Sequence, residues 1–488
     1  MAASQDSNPD VEKQSQPVSE EHEGIGGTNH DNIREKTTVA SSAPTARSPA
    51  EKALLRRQDW RIIPLSASLY FLAYLDRSNI GNAKVLNSST HNDMVTETHT
   101  TDYQFTIALM IFLIGYFLFE VPSNILLKKF RPSRWLAFLM CSWGLITIGI
   151  SGVKNYAQIV GVRFLLGVFE AEYKTDERSV RVAFILASAT LAGAFGGAIA
   201  YGVGHINRVR GLSGWQWLFI LEGIPSVLSS FFIWFILPDY PETAKWLSES
   251  EKELAAQRLA VDGSKGSARA LTWADAKETL TDWRLYGHYA IYFAVSLPFS
   301  SLSLFVPSIV QGLGYHDLQA QLLTVPPWAI AYVVSILNSW SGDHFNARGL
   351  HCAGAAAVGA AGFLASALLP PTAYASRYGT LIVGTSGTFA CVPPMLGWLT
   401  SNMWSTASIG LAVALNVSIG AGLGQIPGVW IYKAAEMKEG YPTGHGVNAA
   451  MLFFVAIGAV CLRIFYGARN KQILRSAAEG TTPRLYAL

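Results

Sequence analysis

"RFLLGVFEAEYKTDERSVRVAF", residues 163–184, decides how many times this chain crosses a membrane. Apolar helix text lies on both sides of a block holding Glu170, Glu172, Lys174, Asp176, Glu177, Arg178 and Arg181. The helical stretch before the block, 156–172, would be about 25 Å long at 1.5 Å per residue. A bilayer core is roughly 30 Å thick. Counted as a span it is short, and it carries two ionisable residues, Arg163 and Glu170. Left out, it reduces the number of crossings from twelve to eleven.

The rest of the chain favours twelve. Of 488 residues half are hydrophobic and only 15% are charged, against about 25% in soluble proteins. Many apolar runs exceed the roughly 18 residues that mark a membrane span. From Trp60 they fall near 60–83, 104–127, 135–153, 156–172, 180–204 and 215–237, then near 286–310, 320–340, 351–371, 378–403, 405–431 and 446–468. Six spans, a polar loop and six spans form the hydropathy pattern of a carrier built from two parallel repeats. The expected organisation is a disordered cytoplasmic tail (1–55), a first six-helix bundle (56–238), a central loop (239–284), a second six-helix bundle (285–468) and a short tail (469–488). The first tail is polar, with too little apolar surface to offset its chain entropy. In the loop, Ser248-Glu-Ser-Glu251 has the form of a capping box.

Lys and Arg placement sets the orientation. Lys128, Lys129, Arg131 and Arg134 follow span two, seven basic residues lie in the central loop, and Arg469, Lys471, Arg475 and Arg484 lie in the tail. Twelve spans with both termini inside put all of these in the cytoplasm. Eleven spans would turn the basic central loop outward. On this orientation Asn87-Ser-Ser89 is an external glycosylation acceptor. The net charge of +3 is too small and dispersed for a nucleic-acid surface. The four cysteines sit in apolar runs and read as small buried hydrophobes.

Charge inside a bilayer is costly, by about 2.5–3.5 kcal/mol per residue on insertion scales, and marks function by default. The candidates are Asp76, Arg77, Glu120, Arg163, Glu170 and Glu222. Arg163 and Glu170 are two helical turns apart on one face. That face presents a cation for an anionic substrate and a carboxylate for a proton, or a charge pair bracing neighbouring helices. Gln425, where Gly and Pro interrupt span eleven, and Asn402, near the inner end of span ten, are candidate substrate contacts. Glu222 reads as structural. No GxSxG, HExxH or Walker pattern occurs, so neither an enzyme nor an ATP-driven pump is expected, and no cofactor or metal.

Several long stretches resemble the fungal allantoate permease family, in the anion:cation symporter group of the major facilitator superfamily. They include "YLDRSNIGNAKV" (74–85), "GYFLFEVPSNILLKKFRPSRWL" (115–136), "RFLLGVFEA" (163–171), "LSGWQWLFILEGIP" (212–225) and "YPTGHGVNAAMLFF" (441–454). The similarity runs from about Trp60 to Lys471. It implies an all-α membrane protein with the major facilitator fold, two six-helix bundles and about twelve transmembrane helices, the fourth shortened. It implies anion interaction at Arg163 and proton coupling at Glu170, with Glu120 an inner-gate residue and the next coupling candidate. Arg77 would be a substrate contact or a lock to another helix. Asp343 and Arg348, in "SGDHFNARG" (341–349), resemble the gate motif of the second half. Members of the family carry allantoate, nicotinate, pantothenate, biotin or small peptides, mostly with protons.

One departure stands out. Family members follow Phe-Glu-Ala with Gly-aromatic-Pro-Gly and a further dozen residues of span four; here Ala171 runs directly into Glu172. A misjoined exon and an altered, inactive relative are both open. The expected function is proton-coupled import of a small organic anion by a monomeric, multi-pass carrier in the cell membrane. Export of a metabolite is the alternative.

Overall fold

The computed structural model describes residues 48–170, 179–237, 239, 244, 246–261, 273–403, 406–477, 483 and 485–488, and their regular structure is helical. Twelve long helices succeed one another: α1 (Pro49–Val85), α2 (Asp102–Lys129), α3 (Pro132–Ile150), α4 (Tyr156–Glu170), α5 (Ser179–Gly204), α6 (Gly214–Ile236), α7 (Trp283–Gly312), α8 (Val325–His344), α9 (Arg348–Leu368), α10 (Tyr374–Ser401), α11 (Thr406–Val417) and α12 (Pro442–Ser476). α11 continues through a π-helical segment, Ser418–Gly424, into one more turn, Gln425–Gly428. Ten of the twelve positions are long and apolar enough to cross a membrane. The other two are α1, which carries charges along its length, and α4, which has only 15 residues. Ala171 to Arg178 lie outside the described residues.

The packing repeats with an offset of six helices. α3 lies along α6 as α9 lies along α12. α2 lies along α4 as α8 lies along α10, and α1 along α5 as α7 along the π-helical segment. Between the halves α1 meets α7, α5 meets α8, and α2 meets the π-helical segment. The last two contacts exchange under the same offset. Two six-helix bundles related by one axis account for this pattern.

Small residues bring the halves together at one end. A Cβ on Gly81 would lie 2.3 Å from the Leu304 carbonyl oxygen, so α1 and α7 touch backbone to backbone there. Gly197 admits Thr324 in the same way. Polar contacts line the same end. Gln321 Nε2 donates to the Asn82 carbonyl at 3.2 Å, the Ser89 N–H donates to Asp317 at 3.0 Å, and Gln311 donates to Ser88 at 3.0 Å. At the other end the halves meet where Ser418 Oγ donates to Glu120 Oε2 at 3.3 Å and where Gly422 receives the Phe117 ring.

Two expected boundaries move. Residues 49–55 are the first turns of α1, where the sequence suggested a disordered tail. Ser48 caps the helix by accepting from the Glu51 N–H at 3.1 Å, and Pro49 opens it. Leu54 is buried with Ala244, Leu247 and Ala255 of the central loop. Arg57 pairs with Glu251 at 2.9 Å, and Arg61 lies over the Trp246 ring at 4.8 Å. The capping box at Ser248 and Glu251 is present in both directions. Its Ser248 donors and then Arg57 hold the Glu251 carboxyl below its usual range. That contribution is complete above the ordinary carboxylate range and fades as pH falls through the lowered value. At the other end of the chain α12 runs on to Ser476, inside the stretch expected to be a tail, and Tyr486, Ala487 and Leu488 pack against the core.

The close approach at Gly81 yields a prediction. Gly81→Ala forces α1 off α7 and should destabilise the protein by about 1–3 kcal/mol, the usual range for overpacking. Gly149→Ala, with nothing within 4 Å of the new methyl, should be neutral or slightly stabilising. Thermal unfolding in detergent compares the two; equal shifts would refute the contact.

Candidate substrate and proton site

The site begins with two glycines. A Cβ on Gly167 would lie 2.2 Å from the Phe112 carbonyl oxygen, and one on Gly115 would lie 2.8 Å from that of Phe164. α2 and α4 therefore meet with their backbones in contact. One turn before Gly167 is Arg163, and about one turn after it is Glu170, so both are carried against α2. Arg163 is 1% exposed and Glu170 is 6% exposed.

Glu170 does not bond to Arg163. Its Oε1 accepts from Nε of Arg77, on α1, at 2.8 Å. The pair thus ties α1 to the end of the shortened α4. Arg77 also lies over the Phe112 and Tyr116 rings, at 5.0 and 4.7 Å from their centroids. Arg163 lies over Phe112 too, at 4.9 Å. Two guanidiniums share one aromatic ring, with one carboxylate bonded to one of them. Cation–π contact stabilises a buried cation without neutralising it. The three guanidinium nitrogens of Arg163 have no hydrogen-bond partner among the described residues.

A central cavity, partly open to solvent, adjoins this cluster. Arg77, Glu170 and Gln425 line it, with an aromatic wall that includes Tyr70, Tyr74, Tyr116 and Phe299. A smaller void shares Arg77, Phe299 and Gln425 and reaches Arg163. The π-helical turn Ser418–Gly424 immediately precedes Gln425; such turns recur at functional sites. Tyr74 is hydrogen-bonded to Ser303 of α7, so the wall spans both halves. A largely apolar cavity with a few converging polar groups is the usual form of a small-molecule site.

The remaining sequence candidates fall elsewhere. Asp343 and Arg348 do pair, at 2.6 Å, and Arg348 also donates to Ser401 at 2.6 Å. Asn402 lies outside the lining of this cavity, and its amide is bonded to Ala487 in both directions. Asn87 is 9% exposed with left-handed backbone, and its Nδ2 donates to the Gly204 carbonyl at 3.3 Å. That nitrogen is the one a glycan would need, so the fold weighs against modification. Glu222 is buried, as is Asp76, whose Oδ2 accepts from Ser226 at 2.8 Å. Sequence reasoning passed over the tyrosine wall, although Tyr70, Tyr74 and Arg77 recur at the spacing of one helix face.

The family model for the major facilitator superfamily matches residues 67–429. The chain belongs to that superfamily. It is a transporter and a multi-pass membrane protein. It is 63% identical to the MFS transporter prlL of a fungal species, over 90% of this chain and 91% of that protein. It is 28% identical to the high-affinity nicotinic acid transporter of Saccharomyces cerevisiae, covering 90% of this chain and 82% of that one. Its fold matches the proton:xylose symporter XylE with a TM-score of 0.60 at 16% identity, over 83% of this chain and 96% of that one. A bacterial homologue of the lysosomal transporter Spinster, inward-facing and occupied, matches with a TM-score of 0.58 at 13% identity, over 89% and 100%.

The two arginines should respond oppositely to removal. Arg77→Met leaves the Glu170 carboxylate buried and uncompensated and should lower stability by about 3–5 kcal/mol. Arg163→Met removes a buried cation that makes no hydrogen bond among the described residues and should leave the unfolding temperature of the transporter unchanged or raised. Melting curves of both variants in one detergent decide the matter; an equal loss would mean that Arg163 is held by bonds the geometry does not contain.

Proposed function

We propose that this transporter carries a small organic anion inward together with a proton, in the manner of the allantoate permease group that its sequence resembles. The observation that carries the reading is the Arg77–Glu170 pair on the wall of the central cavity, with Arg163 close by and without a hydrogen bond among the described residues. In this reading Glu170 acts as an internal substitute for the substrate carboxylate. Arg77 is engaged while Glu170 is charged. A proton on Glu170 weakens the pair and frees the Arg77 fork for a substrate carboxylate, for which a planar guanidinium is well shaped. Arg163 supplies the second positive charge. Substrate and proton then enter together because each makes room for the other.

The tyrosine wall favours a compact carboxylate with a flat or apolar body, and the likeness to a nicotinic acid transporter supports the same class. The cell membrane is the proposed location, with both termini cytoplasmic. The end closed by Gly81, Asn82 and Asp317 then faces outward, and the Asp343–Arg348 pair stands at the inner gate. Glu120, which meets Ser418 across the halves, is the second coupling candidate. The carrier is proposed to work as a monomer. The sequence also left open an exporter or an inactive relative, and the intact pair at the end of the shortened α4 favours an active carrier.

Uptake of radiolabelled nicotinate, pantothenate and allantoate by cells expressing the 488-residue chain tests this. At least one should accumulate faster as external pH falls and be lost with a protonophore. Glu170→Gln should abolish accumulation while retaining exchange of substrate across the membrane. Arg163→Lys keeps charge without the fork and should raise the half-saturating concentration about tenfold or more. Accumulation by Glu170→Gln as steep as the parent's, at equal surface expression, would transfer the coupling role away from Glu170.

A further inference from the structure

Four elements converge at the end of the second bundle that carries Asp343 and Arg348. They are the start of α7, the last turn of α10, the last turns of α12 and the segment Leu485–Leu488. Two asparagines grip the backbone of that segment. Asn470 Nδ2 donates to the Tyr486 carbonyl at 2.9 Å, and its Oδ1 accepts from the Tyr486 N–H at 2.8 Å. Asn402 treats the next residue the same way, accepting from the Ala487 N–H at 2.7 Å and donating to its carbonyl at 3.3 Å. Trp398 Nε1 donates to that carbonyl as well, at 2.9 Å. Every donor and acceptor of two consecutive residues is thus read by a side chain of the bundle.

One side chain of the segment is read too. The Tyr486 ring stacks on Tyr466, with centroids 5.1 Å apart, and is 9% exposed. Arg284, held by Asp282, lies beside the ring and donates to its hydroxyl. Beneath lies His288, buried, bonded to the Tyr466 hydroxyl at 3.1 Å and edge-on to Trp398.

We propose that this is a peptide-docking slot, occupied by the chain's own Tyr486–Ala487, whose occupancy fastens the ends of α7, α10 and α12 to one another. Reciprocal bonding of backbone groups with a pocket for one side chain is how extended peptides are captured in general. The slot cannot empty without consequence. The four bonds from Asn402 and Asn470 to the segment backbone and the Tyr486 stack would be lost, and with them the cross-tie between the helix ends. The slot also shares a helical turn with the charge motif of this half. Trp398 and Asn402 face the segment, while Ser401 between them accepts from Arg348, which is paired with Asp343. Docking of the segment therefore holds the turn of α10 on which that motif rests. The inference does not depend on substrate, direction or proton coupling.

Hydrogen exchange of the full chain in lipid nanodiscs tests it without any substrate. Tyr486→Ala and Asn470→Ala should each speed amide exchange over residues 397–403 about tenfold or more, leaving residues 354–363 of α9 unchanged. Exchange in both variants as slow as in the parent would overturn the proposal. Should a variant exchange faster throughout, a chain ending at residue 482 decides: adding the peptide Pro-Arg-Leu-Tyr-Ala-Leu, the sequence of 483–488, should restore protection over 397–403, and the same peptide with alanine for tyrosine should not. Failure of the first peptide, or equal effect of both, would refute the slot.

Discussion

A half-buried guanidinium and a buried carboxylate 2.8 Å apart hold α1 against α4 beside the central cavity. Much of the site depends on this bond. Leaving either partner alone inside the protein is strongly unfavourable, so the two helices cannot separate there unless something replaces the lost partner. A proton can replace Arg77 for Glu170, and an anion can replace Glu170 for Arg77. The same pair that stabilises the resting arrangement is thereby the point at which small charged ligands can change it. Phe112 strengthens the arrangement by offering its ring to both Arg77 and Arg163.

The packing around the pair is suited to motion between rigid parts. Each bundle is tied internally by extended helix contacts, whereas the two halves meet along α1–α7, α5–α8 and α2–α11. Several of those meetings are glycine on backbone or glycine on ring, at Gly81, Gly197 and Gly422. Such surfaces come close yet carry few polar bonds, so they can part and re-form. The polar bonds between halves concentrate at the end of Asn82, Ser88, Ser89 and Asp317, where closure is most complete. Alternating access needs this division between firm bundles and a lightly bonded seam.

Much of the fold was legible because a bilayer leaves few choices. Long apolar runs must be helices, and the six-loop-six rhythm gave the two bundles. Within the site, the spacing of Arg163 and Glu170 correctly put both on one face. It could not say which cation Glu170 bonds, because that depends on how close α1 comes to α4, and the approach is set by packing of distant residues. Asn402 shows the same limit. Its position at the end of α10 was plain, but its partner, Ala487, lies 85 positions away in a segment whose sequence has no periodicity to announce docking. The tail boundaries slipped for a similar reason: Leu54–Leu55 and Tyr486 belong to apolar patches of a few residues, too short to announce an element and visible only through what they pack against.

The direct test of the exchange at Arg77 is proton uptake on ligand binding. Purified transporter in weakly buffered detergent, with a pH-indicating dye, would be titrated with whichever carboxylate proves to be transported. By linkage, binding that displaces Glu170 from Arg77 should draw about one proton from solution per molecule bound, and Glu170→Gln should bind the same ligand with none. Binding by the parent without proton uptake, or equal uptake by Glu170→Gln, would contradict the account.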